Sequence, residues 1–444
     1  MRRIMRLFVI FFLLLAGCEQ PIPEVPGQGK ATPDVSPSII KKAGVLLHDS
    51  LAANLVETPA EAIPEWRQDS GSMPALLLFS QNPFLAPIPE TVRSAALELG
   101  RSGRRDDFRH RVGNSLADPL LLPEMSLSLA LAGELFSELI WVLPQGAPDE
   151  HITIDRFRET LVETGTAGAE EASAFMVNGN EFHGSLRQIP VRVVPHRMLP
   201  SLDGPTFVHF DLSFFKALYV NEIKTPLYPL VHQVLRELGE RRVRTLGVSI
   251  SLGSWSGATS LQVRFVGDLL ARLLANPRLL GEPLSGNDAL RHEALYLANF
   301  FQKERRLELI QQMDAAASGD AAVKYDLFHA YAENKQGDNA LAALAAAVAL
   351  DPVYAGEYLD LAEQALEKNR PDAALRMLDL AAAAMPDNPF IAIRKAEILL
   401  QNGHGEALGP VLDRLMQLPW SELYYPNIKT RLQERLLPVP SATP

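Results

Sequence analysis

Five positions recur at an interval of 34 residues in the last third of the chain, and this repetition constrains the fold more than any other feature. Recurrence at a fixed period of about 20–50 residues is the signature of stacked structural units, each of which buries its apolar face against its neighbours. We therefore predict a stack of similar units. The recurring pairs are Leu327 and Leu361, Ala340 and Ala374, Leu344 and Leu378, Ala347 and Ala381, and Pro352 and Pro386.

The period and its residues resemble the tetratricopeptide repeat, a unit made of a helix, a turn and a second helix. Small residues at Ala340 and Ala374 allow paired helices to approach closely. Pro352 and Pro386 each end a unit, because the residue before a proline is pushed out of the helical conformation. Two units are predicted over about residues 321–386. The resemblance implies a surface that binds a protein or peptide partner.

Weaker units are predicted on both sides of this pair. A third unit is expected at 387–419, with Gly409-Pro410 interrupting its second helix, and a degenerate unit at about 287–319. We therefore assign residues 282–425 to all-α repeats of the tetratricopeptide type and residues 426–444 to a C-terminal tail. A non-repeating, alanine-rich helical bundle is the alternative interpretation.

The segment 1–17 is predicted to be a signal peptide. Three arginines precede an apolar run over residues 7–16, which is about half of the roughly 20 residues that a membrane-spanning helix requires. The run ends in Leu15-Ala16-Gly17-Cys18, which resembles the lipobox of bacterial lipoproteins. That resemblance implies cleavage before Cys18, acylation of this residue, for example by palmitate, and anchoring in a membrane. The alternatives are a small-residue cleavage site that happens to contain Cys, and an uncleaved anchor.

The residues after Cys18 suggest a location and a spacer. Glu19 stands where enteric-type lipoproteins that stay in the inner membrane have Asp, so by resemblance we expect the outer membrane and a protein that faces the periplasm. Residues 18–38 contain five prolines, which fix φ and lack an N–H donor. We therefore predict that this segment is an extended tether.

Residues 39–281 are predicted to contain a helical lead-in, over 39–70, and an α/β domain, over 73–281. Apolar runs alternate with amphipathic segments, as in a parallel or mixed sheet with flanking helices. Pro190 favours an edge position for one of the strands. Strands are predicted at 75–79, 139–143, 188–194 (the edge strand), 206–210 and 245–250, and helices near 126–136, 154–164, 226–241 and 262–276.

The end of the fourth predicted strand is the main candidate site. Asp211 lies at the carboxyl end of this apolar strand. Because side chains alternate along a strand, His209 and Ser213 are expected on the same face as Asp211. The segment resembles the metal-binding strand end of arginase- and deacetylase-type α/β hydrolases, where an Asp-x-Asp or Asp-x-His pair holds the metal. That resemblance implies Asp211 as a ligand and Asp118 as a candidate partner. Ser213 would occupy the second ligand position, where it is a poor substitute for a carboxylate or imidazole.

Structural roles for the same residues stay open. An Asp at a strand end also forms turns or caps helices, and His209 also fits a half-buried, hydrogen-bonded position. The Asp-x-His-x-Asp stretch that would mark an active member of that hydrolase group does not occur in the sequence. No cofactor is predicted, and a divalent metal enters only with the hydrolase hypothesis.

Two other segments carry weaker signals. The segment Gly253–Gly257 follows a predicted strand and is suited to hold an anion at a helix start, but it lacks the Walker, dinucleotide-binding and Gly-x-Ser-x-Gly patterns. The basic run Arg101–Arg111 is interpreted as a solvated helix face that Asp106 and Asp107 balance.

Charge and cysteine content exclude some classes of protein. A net charge of −11 argues against a nucleic-acid partner, which would require Lys and Arg to replace phosphate counterions. The single cysteine excludes an intrachain disulfide, so the stability of the fold must come from packing.

Two functions are compatible with these features. The first is a lipid-anchored adaptor or scaffold that binds a protein or peptide partner through its repeats and has a non-catalytic α/β domain. The second is a metal-dependent, amidohydrolase-like periplasmic enzyme that uses the Asp211 region. Convergence of Asp118, His209 and Asp211 in a cleft would favour the enzyme, whereas dispersed side chains would favour the adaptor.

Overall fold

A computed structural model describes residues 40–68, 73–144, 152–202, 204–253 and 260–436. The chain divides into two compact units. One comprises Met1–Ile40 and Pro283–Asp351, and the other comprises Lys41–Glu282 and Pro352–Pro444. The predicted start of the helical region at residue 282 lies next to the boundary between Glu282 and Pro283, but the helices after Asp351 belong to the same unit as the sheet. The predicted fold class, an α/β region plus many packed helices, is confirmed.

The second unit contains a mixed sheet, which has nine strands in the described residues. The strands are β1 (Gly44–Val45), β2 (Ala53–Val56), β3 (Ala75–Phe79), β4 (Glu138–Leu143), β5 (Met176–Asn178), β6 (Glu181–Leu186), β7 (Ile189–Pro195), β8 (Thr206–Asp211) and β9 (Arg244–Ser251). Their order is β1-β9-β8-β3-β4-β7-β6-β5, and β2 also pairs with β9. Five pairs of neighbouring strands are parallel: β2 with β9, β9 with β8, β8 with β3, β3 with β4, and β4 with β7. β1 runs antiparallel to β9, and β6 runs antiparallel to β7.

The central strands are apolar on both faces, which is why continuous apolar runs predicted them correctly. Along β3, Leu76 and Leu78 pack into a core that includes Trp66. Phe79, which alternation places on the opposite face, stacks on Phe210 with the ring centroids 4.8 Å apart. The sheet is therefore covered by side chains on both sides.

The prediction that residues 188–194 form an edge strand is wrong. The strand is β7, which pairs with β4 on one side and β6 on the other. Pro190 is tolerated because it lies before Val191, the first residue of β7 that pairs with β4. A proline near the start of a strand removes no hydrogen bond from that ladder.

The helical lead-in predicted for residues 39–70 is only partly present. Strands β1 and β2 occupy this stretch, and a 3₁₀ turn at Pro59–Ala62 leads into the short helix α1, Ile63–Gln68. Both strands are held by long-range pairing with β9, more than a hundred residues later in the chain. Because that pairing comes from tertiary context, local periodicity did not reveal it.

The helices predicted around the sheet are present as α4 (Ser126–Ala132), α5 (Ile154–Glu163), α8 (Leu227–Glu240) and α9 (Phe265–Ala275). Gly133 ends α4 earlier than predicted, because the amide of this residue already closes the last turn. The other helices of this region are α1, given above, α2 (Glu90–Ser102), α3 (Arg105–Arg111), α6 (Ala169–Ser173) and α7 (Leu212–Leu218).

Four helix pairs follow, each joined by a short turn and packed helix against helix. The first unit contains α10 (Gly286–Ala298) with α11 (Lys303–Ala316), and α12 (Ala321–Glu333) with α13 (Gly337–Leu350). The second unit contains α14 (Gly356–Glu367) with α15 (Pro371–Ala384), α16 (Pro389–Gln401) with α17 (Gly405–Gln417), and the single helix α18 (Ile428–Leu436). Among the described residues, no helix is long and apolar enough to cross a membrane.

A left-handed residue follows the first helix of every pair, and this position recurs at the interval of the sequence repeat. The residue after it donates its amide hydrogen to the carbonyl five positions earlier, which closes the helix end in the Schellman manner. The left-handed residues are Phe301, Lys335, Asn369 and Gly403, with φ between 55° and 73°. The closing bonds are Gln302 to Leu297 at 3.4 Å, and Gln336 to Tyr331, Arg370 to Ala365 and His404 to Leu399 at 2.9 Å each.

The prediction that Gly409-Pro410 interrupts a helix is wrong. Helix α17 is continuous through Pro410. Proline removes the amide that would bond to the carbonyl four residues earlier, but Leu408, Leu412 and Leu415 are all buried on this helix. The burial of this apolar face offsets the loss of one backbone hydrogen bond.

The C-terminal residues bind directly to the part of the chain that carries the sheet. The hydroxyl of Tyr424 donates to the carbonyl of Leu120 at 3.0 Å, and the amide of Ser421 donates to the carbonyl of Ala117 at the same distance. These contacts explain why residues after Pro352 form one compact unit with residues 41–282.

Candidate functional site

The carboxyl ends of β3, β8 and β9 meet where the order of the sheet reverses. From β3 the chain proceeds to β4 on one side, whereas β8 and then β9 lie on the other side. In open α/β sheets, ligands bind outside the carboxyl ends of the strands at such a switch point. Ser80 follows β3, Asp211 ends β8 and Ser251 ends β9. The position of this cluster therefore makes it the first candidate site.

Asp211 is the centre of the cluster. Its Oδ1 accepts hydrogen bonds from the amide of Ser213, at 3.0 Å, and from the hydroxyl of Ser213. Its Oδ2 accepts from the hydroxyl of Ser251 at 2.5 Å. Burial raises the pKa of Asp211, and the hydrogen bonds from Ser213, Ser251 and Ser80 oppose that shift. Asp211 also precedes α7 and caps its first turn.

His209 connects two serines of the neighbouring strand. Its Nδ1 lies 2.8 Å from Oγ of Ser249, and its Nε2 lies 3.0 Å from Oγ of Ser251. Because Ser251 donates its proton to Asp211, its oxygen accepts the Nε2 hydrogen, and Nδ1 accepts from Ser249. Burial lowers the pKa of His209 to about 3, so the imidazole is neutral. The rings of Trp66 and His209 pack in a T-shaped arrangement at a centroid distance of 5.5 Å.

Ser80 extends the same network to β3. Its hydroxyl lies 3.4 Å from Oγ of Ser213, which also accepts the amide hydrogen of Gln81 at 3.2 Å. The hydroxyl of Ser80 accepts the amide hydrogen of Asn82 at 3.0 Å, and its carbonyl accepts the indole hydrogen of Trp141 at 2.9 Å. Three neighbouring strands are thus joined at their carboxyl ends by one buried chain of hydrogen bonds.

The geometry of this cluster is that of a structural network. Ser80, His209, Asp211, Ser213 and Ser251 are each at most 2% exposed. Both carboxylate oxygens of Asp211 and both ring nitrogens of His209 have hydrogen-bond partners within the network. The arrangement fixes the His209 tautomer and the ends of the strands, and it presents no nucleophile to solvent.

The residues predicted for the site are only partly brought together. His209, Asp211 and Ser213 join one network, as predicted, although Ser213 lies in the first turn of α7 and does not continue the strand. Asp118 lies on an exposed loop. The described residues contain no group of three or more His, Cys, Asp or Glu side chains that could hold a metal, so Asp118, His209 and Asp211 do not form one.

Three serines of the network were not predicted from the sequence. Along β9, Ser249 and Ser251 alternate with the buried Val248 and Ile250. Hydroxyls at every second position of an apolar strand lie on one face, and this pattern could have indicated a polar site there. Ser80 directly follows β3. Only the order of the strands, which the sequence did not provide, shows that these serines meet His209 and Asp211.

Several predicted features lie outside the described residues. The signal peptide, the lipidation site Cys18 and the tether all belong to the stretch that ends at residue 39. The loop predicted to hold an anion is described only at Gly253, which has a positive φ of 65° and whose amide donates to the carbonyl of Glu57 at 3.0 Å.

The interpretation of the basic run Arg101–Arg111 as a solvated helix face is only partly correct. Asp107 pairs with Arg104 at 3.6 Å and Asp106 pairs with Arg109 at 3.5 Å, as predicted, but two of the arginines also bind a buried carboxylate. Glu61 is 3% exposed and accepts from Nε of Arg109 at 2.8 Å and from Nε of Arg105 at 3.4 Å. Arg105 also donates to the side chain of Asn54 at 3.1 Å and to the carbonyl of Leu55. The run breaks at Gly103, which separates α2 from α3. Arg105 therefore binds strand β2 directly, and Arg105 and Arg109 together bind the turn that follows this strand.

A cleft of about 510 Å³ lies beside the same edge of the sheet. Residues of β2, of the turn that carries Glu61, of α1 and of α3 line it, and they include charges of both signs. The lining residues are Lys42, Ala52, Ala53, Asn54, Glu61, Pro64, Glu65, Gln68 and Arg105.

Comparison with known proteins adds no assignment to this geometry. No protein-family model matches the chain, and no curated protein matches it. The function is therefore inferred from the residues and contacts described above.

Proposed function

We propose that this chain is a lipid-anchored adaptor or scaffold of the bacterial cell envelope, which binds a protein or peptide partner through helical repeats of the tetratricopeptide type. Its α/β domain is non-catalytic in this proposal. The anchor is an acylated Cys18 in the outer membrane, and the folded part faces the periplasm. The position of the only cysteine, directly after Leu15-Ala16-Gly17, supports the anchor.

The repeat in the backbone supports the adaptor role. Four helix pairs are closed by a left-handed residue at equivalent positions, and the interval between these positions is that of the sequence repeat. Stacks of such pairs build extended surfaces that hold peptides and protein segments. The chain contains several such pairs, and this type of surface serves binding rather than chemistry.

The observation that carries the non-catalytic proposal is that Asp211 is buried and that both of its carboxylate oxygens accept hydrogen bonds. A ligand or general base must present an oxygen to its substrate or metal, whereas both oxygens of Asp211 accept hydrogen bonds from neighbouring serines, and the residue is 2% exposed. The neutral His209 is enclosed in the same way, at 0% exposure.

Labelling in cells tests the anchor. The full chain, expressed in an enteric bacterium with an alkyne analogue of palmitate, should become labelled and sediment with the outer membrane. A Cys18→Ser variant should lose the label and leave the membrane fraction. Label that persists in the variant, or an unlabelled parent protein, would refute acylation at Cys18.

Photo-cross-linking tests the adaptor role. A photoreactive residue is placed at Tyr331, on the first helix of a pair, or at Ala342, an exposed position on the second helix. A partner held by the repeat surface should cross-link at one of these positions and not at the other. The same experiment is done at the equivalent positions of the next repeat, Ala365 and Arg376. If no cross-link forms at any of the four positions, binding through the repeats is refuted.

The metal-dependent hydrolase is retained as an alternative because the Asp211 cluster lies at the switch point of the sheet. Elemental mass spectrometry on the purified chain, after incubation with zinc and manganese, distinguishes the two. Stoichiometric metal that is lost in Asp211→Asn and kept in Asp118→Asn would support the enzyme at Asp211. Metal absent from all three proteins supports the adaptor.

A further inference from the structure

Three aromatic side chains are exposed at the end of α10. Phe301 is 75% exposed, more than any other large hydrophobic residue in the described part of the chain, and Tyr296 and Phe300 are 47% and 45% exposed. The rings of Tyr296 and Phe300 lie 4.8 Å apart. We call these three residues the aromatic tip. Single exposed apolar residues are common on protein surfaces, but three aromatic residues within six positions are not.

The backbone at Phe301 shows that the turn does not require this residue. Phe301 has a φ of 57°, a left-handed conformation that is strained for a bulky side chain. The equivalent positions of the other three helix pairs hold Lys335, Asn369 and Gly403, and Asn and Gly are the usual choices there. Phe301 is also mostly exposed, at 75%. Neither local geometry nor the core of this unit therefore accounts for a phenylalanine at this position.

We propose that the aromatic tip docks on the surface of the lipid bilayer to which the chain is anchored. This inference rests on the proposed acylation of Cys18. Aromatic side chains favour the interface between the headgroups and the acyl chains. Lys303 and Arg305, on either side of Glu304, lie shortly after Phe301 in the sequence and are suited to pair with lipid phosphates, although Arg305 also pairs with Glu308 at 2.9 Å.

The length of chain before the described residues favours a bilayer as the occupant. Ile40 lies 22 residues after Cys18, and a stretch of that length spans at most about 75 Å. An anchored molecule therefore stays close to the membrane, where a weak contact is repeatedly formed because its effective concentration is high. Three rings that are exposed together suit a soft surface that can close around them.

The test uses a fluorescent label beside the tip in the lipidated full-length protein. The two helix pairs of the first unit offer a matched pair of positions, because Gln302 and Gln336 are both exposed and follow Phe301 and Lys335 respectively. Each is changed to cysteine and labelled with an environment-sensitive fluorophore. An acylated Cys18 has no thiol to react, so the label is confined to the new residue.

Vesicles of phosphatidylethanolamine and phosphatidylglycerol, with and without lipids brominated on their acyl chains, are the probe. The label at Gln302→Cys should show blue-shifted emission and quenching by brominated lipid, whereas the label at Gln336→Cys should show neither. Adding Phe300→Ser and Phe301→Gly to the Gln302→Cys protein should abolish both effects while the protein still floats with the vesicles.

Each other outcome overturns the docking. If the protein floats with the vesicles but both labels show the emission of a water-exposed fluorophore, the anchor is intact and contact of the tip with the bilayer is refuted. A blue shift at Gln302→Cys without vesicles would show that a second copy covers the tip. Loss of flotation together with an unmodified Cys18 would refute the anchor, and with it the docking that depends on it.

Discussion

His209 makes the stability of the fold depend on pH. Burial lowers the pKa of this imidazole from 6.5 to about 3, so between these values the unfolded chain binds a proton that the folded chain does not. The stabilisation is fully present above the unfolded pKa and is lost as the pH falls, at up to about 1.4 kcal/mol per pH unit. Ser249 and Ser251 hold the neutral form.

A His209→Gln variant should be less stable than the parent at pH 7 but should lose less stability on acidification. Between pH 7 and pH 5, the parent should lose about 2 kcal/mol more than the variant. Urea denaturation at the two pH values measures this difference. His329, whose pKa burial also lowers to about 3, contributes equally to both proteins. An identical pH dependence of the two would contradict a neutral, buried His209.

Phe301 offers a second test at the level of one residue. Replacement of Phe301 by Gly should raise the free energy of unfolding by about 1 kcal/mol, because a left-handed backbone is strained for L-residues with a side chain. Gly403→Ala at the equivalent position, where φ is 73°, should lower it by about 1 kcal/mol. Thermal unfolding compares both variants with the parent. Destabilisation by Phe301→Gly would show that the phenyl ring stabilises the fold.

At the level of elements, the apolar runs gave the central strands correctly because such strands are buried on both faces. β1 and β2 were missed because β9 holds them by long-range pairing, and β6 was missed because its residues are only half-buried. For the site, alternation along β8 correctly grouped His209 with Asp211. The serines that satisfy them come from β3 and β9, and the sequence did not give the order of those strands.

Glu61 holds the edge of the sheet that the sequence missed. Its Oε1 accepts the amide hydrogens of Glu57 and Thr58 at 3.2 and 3.3 Å, and its Oε2 pairs with Arg105 and Arg109. Removal of the carboxylate leaves one buried amide donor, that of Thr58, and one partly buried donor, that of Glu57, without this acceptor. Each such loss costs about 1–3 kcal/mol, whereas the two arginines remain partly hydrated and add little.

Glu61→Ala should therefore lower the free energy of unfolding by about 2–4 kcal/mol. The exposed pair of Glu98 and Arg101, at 3.6 Å, provides the control, and Glu98→Ala should cost less than about 0.5 kcal/mol. Hydrogen exchange should also show faster exchange of the β2 amides in Glu61→Ala. Equal stability of the two variants would mean that Glu61 does not fix this edge.

At the scale of the whole molecule, one compact unit is built from two separate parts of the chain. Residues 41–282 form the sheet and its helices, and residues 352–436 return to the loop that precedes α4. Tyr424 and Tyr425 donate to the carbonyls of Leu120 and Asn114, and Ser421 bonds to Ala117. Trp420 is buried with Leu412 and Leu415 in a core of the C-terminal helices. The contacts with residues 114–120 couple that core to the α/β region.

This coupling predicts that the two parts unfold together. Under mild urea, peptides from β3 and β8 and peptides from α16 and α17 should exchange their amide hydrogens with the same free energy of opening. Tyr424→Phe should lower both values by about 1 kcal/mol, because the carbonyl of Leu120 loses its donor. Tyr296→Phe, at an exposed ring, should change neither. If the C-terminal peptides open at a lower free energy than the sheet, the two parts are separate folding units, and truncation after Asp351 should then leave the sheet intact.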